Sequence, residues 1–211
     1  MNSTVDIPGL QQMDAETFDV IVIGAGLSGV GTAVRLQRDC PDRDFILLER
    51  REAIGGTWDL FRYPGIRSDS DMHTLGYDFK PWEAEKTIAD GPAILSYVNE
   101  TADEYRIRER IRFSQKLIAA NWSSERSQWQ LTVETPDGIR RYRCGFLMMC
   151  AGYYSYDQGY EPEFEGKASF SGEWVHPQFW PENLDHTDKT VVVIGSGAGG
   201  LSTAITASHL G

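Results

Sequence analysis

Three glycines near the N-terminus, spaced Gly24-x-Gly26-x-x-Gly29, constrain the fold of this chain more than any other feature. The run 18–23 before them is short, apolar and β-branched, which predicts a buried parallel strand. The segment 27–38 after them predicts a helix. In this spacing the first glycine permits a tight turn, the second lets the backbone approach a pyrophosphate, and the third lets helix and strand pack closely. We therefore expect a dinucleotide at the N-terminus of this helix.

An acidic residue follows at the position that a dinucleotide site requires. The run 44–49 predicts a second buried strand and ends in Glu49, about 20 residues after Gly29. A carboxylate there accepts hydrogen bonds from both ribose hydroxyls of an adenosine and repels a 2′-phosphate, so NADP is disfavoured at this loop. Three glycines alone could merely punctuate a turn. The two flanking strands and Glu49 make that alternative the weaker one.

Beyond residue 90 the sequence predicts one helix and a series of strands. These are a helix over 92–106 and strands over 111–122, 128–135, 140–143 and 146–150. The Pro-Asp-Gly turn at 136–138 predicts an antiparallel hairpin between the strands on either side of it. The apolar run 146–150 predicts a strand that returns to the parallel sheet. The predicted fold class is α/β, a Rossmann-like domain whose parallel sheet carries a β-meander insertion.

A second strand-plus-glycine pattern occurs near the C-terminus. The run 190–194 predicts a strand, and the segment 195–200 repeats the glycine spacing, which predicts the start of a second Rossmann-like domain. A folding fragment without a ligand is an equally good interpretation of this pattern. The predicted organisation is a polar tail over 1–17, a dinucleotide-binding domain over 18–152, a linker over 153–189 and a second domain that begins at 190–211.

Composition limits the partners and the location of the chain. The formal net charge is -11, with 31 acidic against 20 basic residues, which argues against a nucleic-acid surface. Residues 1–17 do not resemble a signal peptide, and no apolar run approaches the ~20 residues of a membrane span, so we expect a cytoplasmic protein. Cys40, Cys144 and Cys150 lack the paired spacing of a zinc or redox site, so no metal is expected.

The residues after Glu49 favour FAD over NAD at the first loop. Gly55-Gly56 follows the acidic residue closely, and in this respect the sequence resembles flavoproteins with two dinucleotide folds. Disulfide reductases of that superfamily carry a Cys-x4-Cys after the glycine pair, whereas this chain has no cysteine there, so thiol chemistry is not expected. The alternative for the glycine pair alone is a plain surface loop.

The next segment carries a more specific resemblance. The run 55–72 contains Gly-Gly-Thr-Trp followed by Tyr-Pro-Gly-Ile-Arg-Ser-Asp, which resembles the type I Baeyer-Villiger monooxygenases. The whole run is most similar to the subgroup that activates ethionamide-type thioamide drugs. Apart from the resemblance, Arg67 and Asp69 could face the same side of an extended segment or form a solvated ion pair.

A second motif supports this resemblance independently. Phe170-x-Gly172-x3-His176-x3-Trp180-Pro181 matches the Baeyer-Villiger fingerprint at all its fixed positions. Related flavin-containing monooxygenases share the earlier part of the pattern but lack the closing Trp-Pro. His176, within the linker, is interpreted as organising domain movement rather than as handling protons.

The resemblance implies two cofactors, FAD and NADPH, and a set of residues that contact them. For the first loop and the segment after it, the implied residues are Gly24, Gly26, Ser28, Gly29, Glu49, Gly56, Thr57, Trp58, Asp59, Leu60, Arg67, Ser68, Asp69 and Leu117. For the second loop they are Gly195, Ser196, Gly197, Ala198, Gly199, Gly200 and Leu201. By the resemblance, Asp69 is the catalytic carboxylate, Arg67 and Ser68 lie beside the nicotinamide cofactor, and Leu117 contacts the adenine through its backbone.

The resemblance also implies the reaction. NADPH would reduce FAD, and a C4a-peroxyflavin formed with O2 would oxidise a ketone, a thioether or a thioamide. We expect this chain to carry the first part of such a monooxygenase. The alternatives are an FAD-binding fragment without catalysis, an N-hydroxylating flavin monooxygenase, and a non-enzymatic protein that senses NAD.

Overall fold

The computed structural model describes residues 15–195, which form two compact units. The first unit combines the residues up to Ala53 with Tyr105–Ala151, and the second combines Ile54–Glu104 with the residues from Gly152 onward. The predicted boundaries of the dinucleotide-binding domain and of the linker stay predictions.

The first unit is built on one mixed sheet. Its strands are β1 (Glu16–Ile23), β2 (Phe45–Leu48), β3 (Ile111–Arg112), β4 (Lys116–Ser123), β5 (Gln128–Thr135) and β6 (Gly138–Met149), in the order β3-β2-β1-β6-β5-β4. The pairs β3-β2, β2-β1 and β1-β6 are parallel, whereas β6-β5 and β5-β4 are antiparallel. Helix α1 (Leu27–Asp39) joins β1 to β2. The predicted α/β class with a meander insertion is confirmed.

The core of this unit lies where the sequence is continuously apolar. All four residues of β2 are buried, as are the last four of β1, because parallel strands are covered on both faces. The helix α1 buries Val30, Ala33 and Val34, one apolar stripe along its length. Strand, helix and strand thus form one βαβ unit with the glycine loop at its first turn.

Two strand predictions are wrong in detail. The predicted strands 140–143 and 146–150 form the single strand β6, because its first half pairs antiparallel with β5 and its second half pairs parallel with β1. The predicted strand 111–122 is instead divided into β3 and β4. The division lies at Ser114, whose φ of 54° is incompatible with an extended strand.

The second unit is mainly helix and ordered loop. It contains the helices α2 (Thr57–Leu60), α3 (Met72–Leu75) and α4 (Gly91–Glu104), with 3₁₀ turns at Lys167–Ser169 and Pro177–Phe179. The helix α4 buries Ile94, Tyr97 and Val98 on one face, as its apolar spacing predicts. The hydroxyl of Tyr97 accepts a hydrogen bond from the backbone N–H of Tyr77 at 2.8 Å, and this contact fixes the loop that follows α3.

The predicted strand 190–194 is not formed. These residues have no regular secondary structure, and the side chains of Val191, Val192 and Ile194 are exposed. A strand exists only through hydrogen bonds to a neighbouring strand, and within residues 15–195 no strand pairs with this segment. Residues 196–201, predicted to bind the second cofactor, lie outside the described residues.

Candidate functional site

Two glycines of the loop in the first unit have no room for a side chain. Gly24 has a φ of +102°, and a Cβ built on it would lie 2.5 Å from the carbonyl oxygen of Cys150. A Cβ on Gly29 would lie 1.9 Å from the carbonyl oxygen of Gly24. The loop, the first turn of α1 and the end of β6 therefore approach one another at backbone distance, as the glycine spacing predicts.

The N-terminus of α1 presents backbone donors beside this loop. The first regular hydrogen bond of the helix runs from the N–H of Val30 to the carbonyl of Gly26 at 3.0 Å. Gly26 occupies the N-cap position and provides no side-chain cap. The N–H groups of a first helical turn have no acceptor within the helix, and the helix dipole makes this end positive. Ser28, in that turn, is exposed. The arrangement suits an anionic group.

Glu49 lies directly after β2 and is only 4% exposed. One carboxylate oxygen, Oε2, accepts a hydrogen bond from the backbone N–H of Ala25 at 2.7 Å, and the other, Oε1, accepts one from the N–H of Arg51 at 2.9 Å. The bond to Ala25 ties the carboxylate to the glycine loop, a contact that the sequence did not predict. A carboxylate oxygen has two lone pairs, so each can accept a further bond from a hydroxyl. These residues therefore fit the adenosine and pyrophosphate of a dinucleotide such as FAD.

The backbone of Glu49 is held on both sides. Its N–H donates to the carbonyl of Arg112 at 2.9 Å, and its carbonyl accepts from the N–H of Gln115 at 2.8 Å. The side chains of these two residues meet at Tyr142: the Tyr142 hydroxyl lies 3.1 Å from a guanidinium nitrogen of Arg112 and 3.0 Å from Oε1 of Gln115. Leu117, predicted to contact an adenine, lies in β4 at a β-bulge that begins with it. The acidic residue is thus positioned by the short stretch between β3 and β4.

In the second unit the glycine pair opens a short helix. Gly55 and Gly56 have φ values of +127° and +55°, and both are buried, so the alternative of a plain surface loop is wrong. A Cβ on Gly55 would lie 2.3 Å from a methyl group of Leu95 on α4. Helix α2 consists of Thr57, Trp58, Asp59 and Leu60, the four residues that the resemblance assigns to the flavin.

One of those four already has a partner within its own unit. Asp59 is 8% exposed and accepts a hydrogen bond from the guanidinium of Arg62 at 2.9 Å. Arg62 also donates from Nε to the carbonyl of Asp59 at 3.0 Å. The pair fixes the end of α2. Trp58 lies at the other side of the same turn and faces a cavity.

This cavity has a volume of about 450 Å³. Its walls come from α2, the segment after it and the start of α4, and include Trp58, Phe61, Arg62, Tyr63, Ile66 and Leu95. The volume lies in the range of small-molecule sites, and an aromatic lining with a few polar groups is typical of them. Asp69 does not line it.

The three predicted site residues at 67–69 lie in different environments. Ser68 is buried, and its N–H and hydroxyl are both within hydrogen-bond distance of the carbonyl of Ala89, at 2.9 and 3.5 Å. Arg67 is half-buried and forms a backbone bridge with Asp90, whereas Asp69 is exposed. Arg67 and Asp69 do not form the ion pair that was one of the two alternatives for them. Their roles beside a cofactor stay predictions.

The Asp69 carboxylate acts electrostatically on two tyrosines of an aromatic cluster. The ring of Phe61 contacts those of Tyr63 and Tyr154, with centroid distances of 6.0 and 4.8 Å. Burial raises the pKa of Tyr63, and the Asp69 carboxylate raises it further. The pKa of Tyr154 is raised to about 12. The largest cause is a hydrogen bond with Tyr153, the second is burial, and Tyr63 and Asp69 contribute less. Both phenols are therefore protonated at neutral pH and can donate hydrogen bonds. No motif in the sequence indicates Tyr154.

His176 makes structural contacts with both ring nitrogens. Its Nδ1 accepts a hydrogen bond from the N–H of Gln178 at 3.2 Å, and Nε2 lies 3.3 Å from the carbonyl oxygen of Tyr160. A Cβ on Gly159 would lie 2.2 Å from the imidazole ring, so the chain passes directly over it. These contacts fit the structural interpretation of His176. Its part in domain movement stays a prediction.

Two further features of the described part of the chain bear on the class of protein. Within residues 15–195, no group of three or more His, Cys, Asp or Glu side chains is arranged to hold a metal ion. None of the helices in this range has both the length and the apolar character needed to cross a membrane. Gly195, the one described residue of the second glycine loop, has a φ of +125°.

The fold and the glycine loop define a dinucleotide-binding α/β protein, and comparisons with known proteins identify its family. A model described as flavin-binding monooxygenase-like matches residues 76–211, and one described as an NAD(P)-binding Rossmann-like domain matches residues 22–84. This chain belongs to the flavin-binding monooxygenase-like family. The family predicted from the two motifs is thus confirmed.

Similar curated proteins are flavin monooxygenases by name. The FAD-containing monooxygenase EthA of Mycolicibacterium smegmatis is 53% identical over 191 residues, which are 90% of this chain and 38% of the relative. The probable FAD-binding monooxygenase AlmA of Acinetobacter baylyi is 49% identical over 190 residues, 90% of this chain and 37% of the relative. The chain thus spans little more than a third of the length of these relatives.

Similar solved structures are Baeyer-Villiger monooxygenases. Cyclohexanone monooxygenase from Rhodococcus sp. Phi1, bound to NADP+, matches with a TM-score of 0.78 at 26% identity, over 93% of this chain and 37% of that one. Oxidised steroid monooxygenase bound to NADP matches with a TM-score of 0.78 at 32% identity, over 92% of this chain and 37% of that one. The likeness covers both units.

Proposed function

We propose that this chain is the FAD-binding part of an NADPH-dependent flavin monooxygenase. One oxygen atom of O2 is transferred to a ketone in a Baeyer-Villiger reaction, or to the sulfur of a thioether or thioamide. The other oxygen atom leaves as water, with NADPH as the two-electron donor. The observation that carries the proposal is the buried Glu49 carboxylate, hydrogen-bonded to a loop whose Gly24 and Gly29 have no room for a side chain. The names of the curated relatives and the NADP-bound structures support the two cofactors.

The residues of this chain divide the work of holding the cofactor. With FAD bound, the first turn of α1 would present its backbone N–H groups to the pyrophosphate, and Glu49 would accept hydrogen bonds from the ribose hydroxyls. By the family resemblance, Trp58 and Leu60 would contact the flavin part of FAD, and Asp69 would orient a positively charged group that stabilises negative charge at the reacting centre. The neutral phenols of Tyr63 and Tyr154 donate hydrogen bonds near Asp69. FAD, when bound, supplies the electron transfer and oxygen chemistry.

FAD binding is tested on the purified chain by titration, with quenching of flavin fluorescence as the readout. We expect saturable binding, weakened about 10- to 150-fold in Glu49→Gln, because loss of a charged acceptor costs roughly 1.5–3 kcal/mol. Glu134→Gln removes the same charge from an exposed position on β5 and is the matched control, with unchanged affinity. A wild-type chain that binds no FAD, or equal loss in both variants, contradicts the proposal.

Catalysis needs a separate measurement, because the chain spans about 38% of its relatives. NADPH consumption under air is followed with the FAD-loaded protein and a cyclic ketone, a thioether or an amine as substrate. Stimulation by the ketone or the thioether supports the proposed reaction, and stimulation by the amine alone indicates an N-hydroxylating enzyme. FAD binding without NADPH consumption supports the alternative of an FAD-binding module without catalysis.

We also propose that the protein acts in the cytoplasm. Its three cysteines are all free: Cys40 is exposed, Cys144 is buried and Cys150 is half-buried. Free thiols are typical of a reducing compartment. Labelling the thiols of the protein in intact cells tests this location.

A further inference from the structure

The antiparallel part of the sheet has one polar face that the proposed function does not use. Along β5 and β6, Leu131, Val133, Tyr142 and Cys144 belong to the core cluster on one face. The alternating residues between them point to the opposite face, because side chains of a strand alternate. On β6 these include Arg141 and Arg143, and on β5 they include Gln130 and Thr132.

The register aligns these side chains into two neighbouring rows. Arg143 lies opposite Gln130, which in turn lies opposite Asn121 on β4. Arg141 lies opposite Thr132 on the neighbouring row. Directly opposite residues have Cβ atoms about 4.5–5.5 Å apart, so two guanidinium groups, two amides and a hydroxyl share one small area.

The two arginines lack carboxylate partners within the described residues. Other arginines of this sheet unit are paired: Arg112 bonds Glu16 through both terminal nitrogens, and Arg140 lies 3.6 Å from Asp137. Carboxylates are plentiful, since the chain has 31 acidic against 20 basic residues. Arg141 and Arg143 nevertheless form no ion pair among residues 15–195.

One guanidinium atom lacks any partner in this part of the chain. The Nε of Arg141 is buried and makes no hydrogen bond within residues 15–195. A buried donor without an acceptor costs about 1–3 kcal/mol, more when it is charged, so native structures rarely leave one. A water molecule or a bound anion would supply the acceptor that this atom lacks.

A small cavity lies at the same place. Its volume is about 60 Å³, and its lining includes Asn121, Gln130, Thr132, Arg141 and Arg143. No carboxylate among residues 15–195 lines it. One water needs roughly 10–15 Å³ on this measure, so there is room for about four to six water-sized spheres, the size of a tetrahedral oxyanion.

We infer that this polar face of the meander binds a small tetrahedral oxyanion, a phosphate group or its isostere sulfate. The planar guanidiniums of Arg141 and Arg143 donate paired N–H bonds to its oxygens, the geometry in which arginine binds phosphate. The amides of Gln130 and Asn121 and the hydroxyl of Thr132 supply further donors. The site goes beyond the proposed FAD function and involves none of the residues assigned to it.

Phosphorus-31 NMR tests the site: inorganic phosphate is the probe, and the broadening of its resonance by the purified chain is measured at constant ionic strength. We expect saturable broadening that sulfate reverses and chloride does not. Arg141→Gln weakens binding at least tenfold. The matched control is Arg140→Gln, which removes the same charge from the adjacent residue on the other face of β6 and leaves binding unchanged.

Two further measurements identify the form of phosphate that binds and separate this site from the FAD site. Glycerol phosphate, compared with inorganic phosphate, distinguishes a site for a phosphate group carried on a larger molecule from one for the free ion. FAD titration of Arg141→Gln is expected to match the wild type, so a failed FAD proposal and a failed oxyanion site give different results. Equal phosphate binding by wild type and Arg141→Gln, or equal loss in both arginine variants, overturns the inference.

Discussion

At the scale of single residues, the glycines of the first loop have different reasons for being glycine. Gly24 needs both its left-handed backbone and the absence of a Cβ, whereas Gly29 has an ordinary helical position and needs only the space. The glycine spacing therefore marks positions where two backbone segments lie too close together for a side chain. That closeness is what brings backbone donors to a ligand.

Substitution of Gly29 by alanine is expected to destabilise the first unit. Its Cβ would lie 1.9 Å from a backbone carbonyl oxygen, so helix α1 must shift away from the loop. Overpacking of this kind costs about 1–3 kcal/mol or more. Urea unfolding measures the loss. FAD affinity, measured by fluorescence quenching, falls as well because the donors of the first turn move.

The control for this substitution is Gly145→Ala in β6. Its Cβ would lie 3.5 Å from the nearest atom, the carbonyl oxygen of Asp19, which is ordinary van der Waals contact. Alanine in a strand costs less conformational entropy than glycine, so we expect unchanged or slightly higher stability, by up to about 0.5–1 kcal/mol. Equal unfolding midpoints for the two alanine variants would contradict the packing explanation.

At the scale of elements, β3 depends on an ion pair with the first strand. The guanidinium of Arg112 lies 2.7 and 2.9 Å from the two carboxylate oxygens of Glu16 and stacks over the rings of Phe18 and Tyr142. The hydrogen bond to Arg112 lowers the pKa of Glu16. This pair connects the edge strand β3, whose Arg112 carbonyl accepts from the N–H of Glu49, to the central strand β1.

The stability that Glu16 contributes is expected to depend on pH. Because its folded pKa lies below the unfolded value of about 4.3, the contribution is complete above that pH and is lost as the pH falls through the folded pKa. The urea midpoint of Glu16→Gln should therefore lie below that of the wild type at pH 6 and converge with it towards pH 3. The carboxylate is about half exposed, so the difference stays below about 1 kcal/mol.

Glu125→Gln, in the exposed turn between β4 and β5, provides the comparison for this pH series. It removes one carboxylate of the same type from a site without an ion pair in the described part of the chain. Its midpoint should follow the wild type at every pH. A Glu16→Gln difference that persists unchanged at pH 3 would mean that packing of the side chain, not its charge, stabilises β1.

The elements also indicate how far the sequence determines the fold. The strands around the glycine loop, helix α1 and the hairpin of β5 and β6 were predicted because their periodicity and turn residues are local signals. The continuity of β6 was not, since only pairing with β1 on one side and β5 on the other makes it one strand. The run 190–194 was predicted as a strand from its apolar residues. It is not one, because a strand also needs a neighbouring strand to pair with, and within residues 15–195 none does.

For the candidate site, too, the local features were predictable from the sequence and the long-range contacts were not. Glycine spacing and the position of Glu49 follow from sequence order, so the loop could be foreseen. The hydrogen bond from Ala25 to Glu49, the backbone bonds from the segment before β4, and the contact of Tyr154 with Phe61 join residues far apart in sequence. No short sequence motif predicts such contacts.

At the scale of the whole molecule, the sheet unit places one thiol where it reports on cooperative unfolding. Cys144 is 1% exposed in the centre of β6, opposite Phe18 of β1 and Trp129 of β5. Burial raises its pKa to about 11. At pH 8 it is therefore both inaccessible and protonated, and only the thiolate reacts with a disulfide reagent.

A chain with Cys40→Ser and Cys150→Ser retains this thiol alone and should react with a chromogenic disulfide only through unfolding. Its reaction rate at pH 8 is expected to rise with urea concentration with the same slope as the unfolding transition measured by tryptophan fluorescence, because opening β6 exposes the whole sheet. The variant that retains only the exposed Cys40 should react at once at every urea concentration. Rapid labelling of Cys144 without urea, with little dependence on it, would show instead that β6 separates from its neighbours by local opening, and that the parallel and antiparallel parts of the sheet do not unfold together.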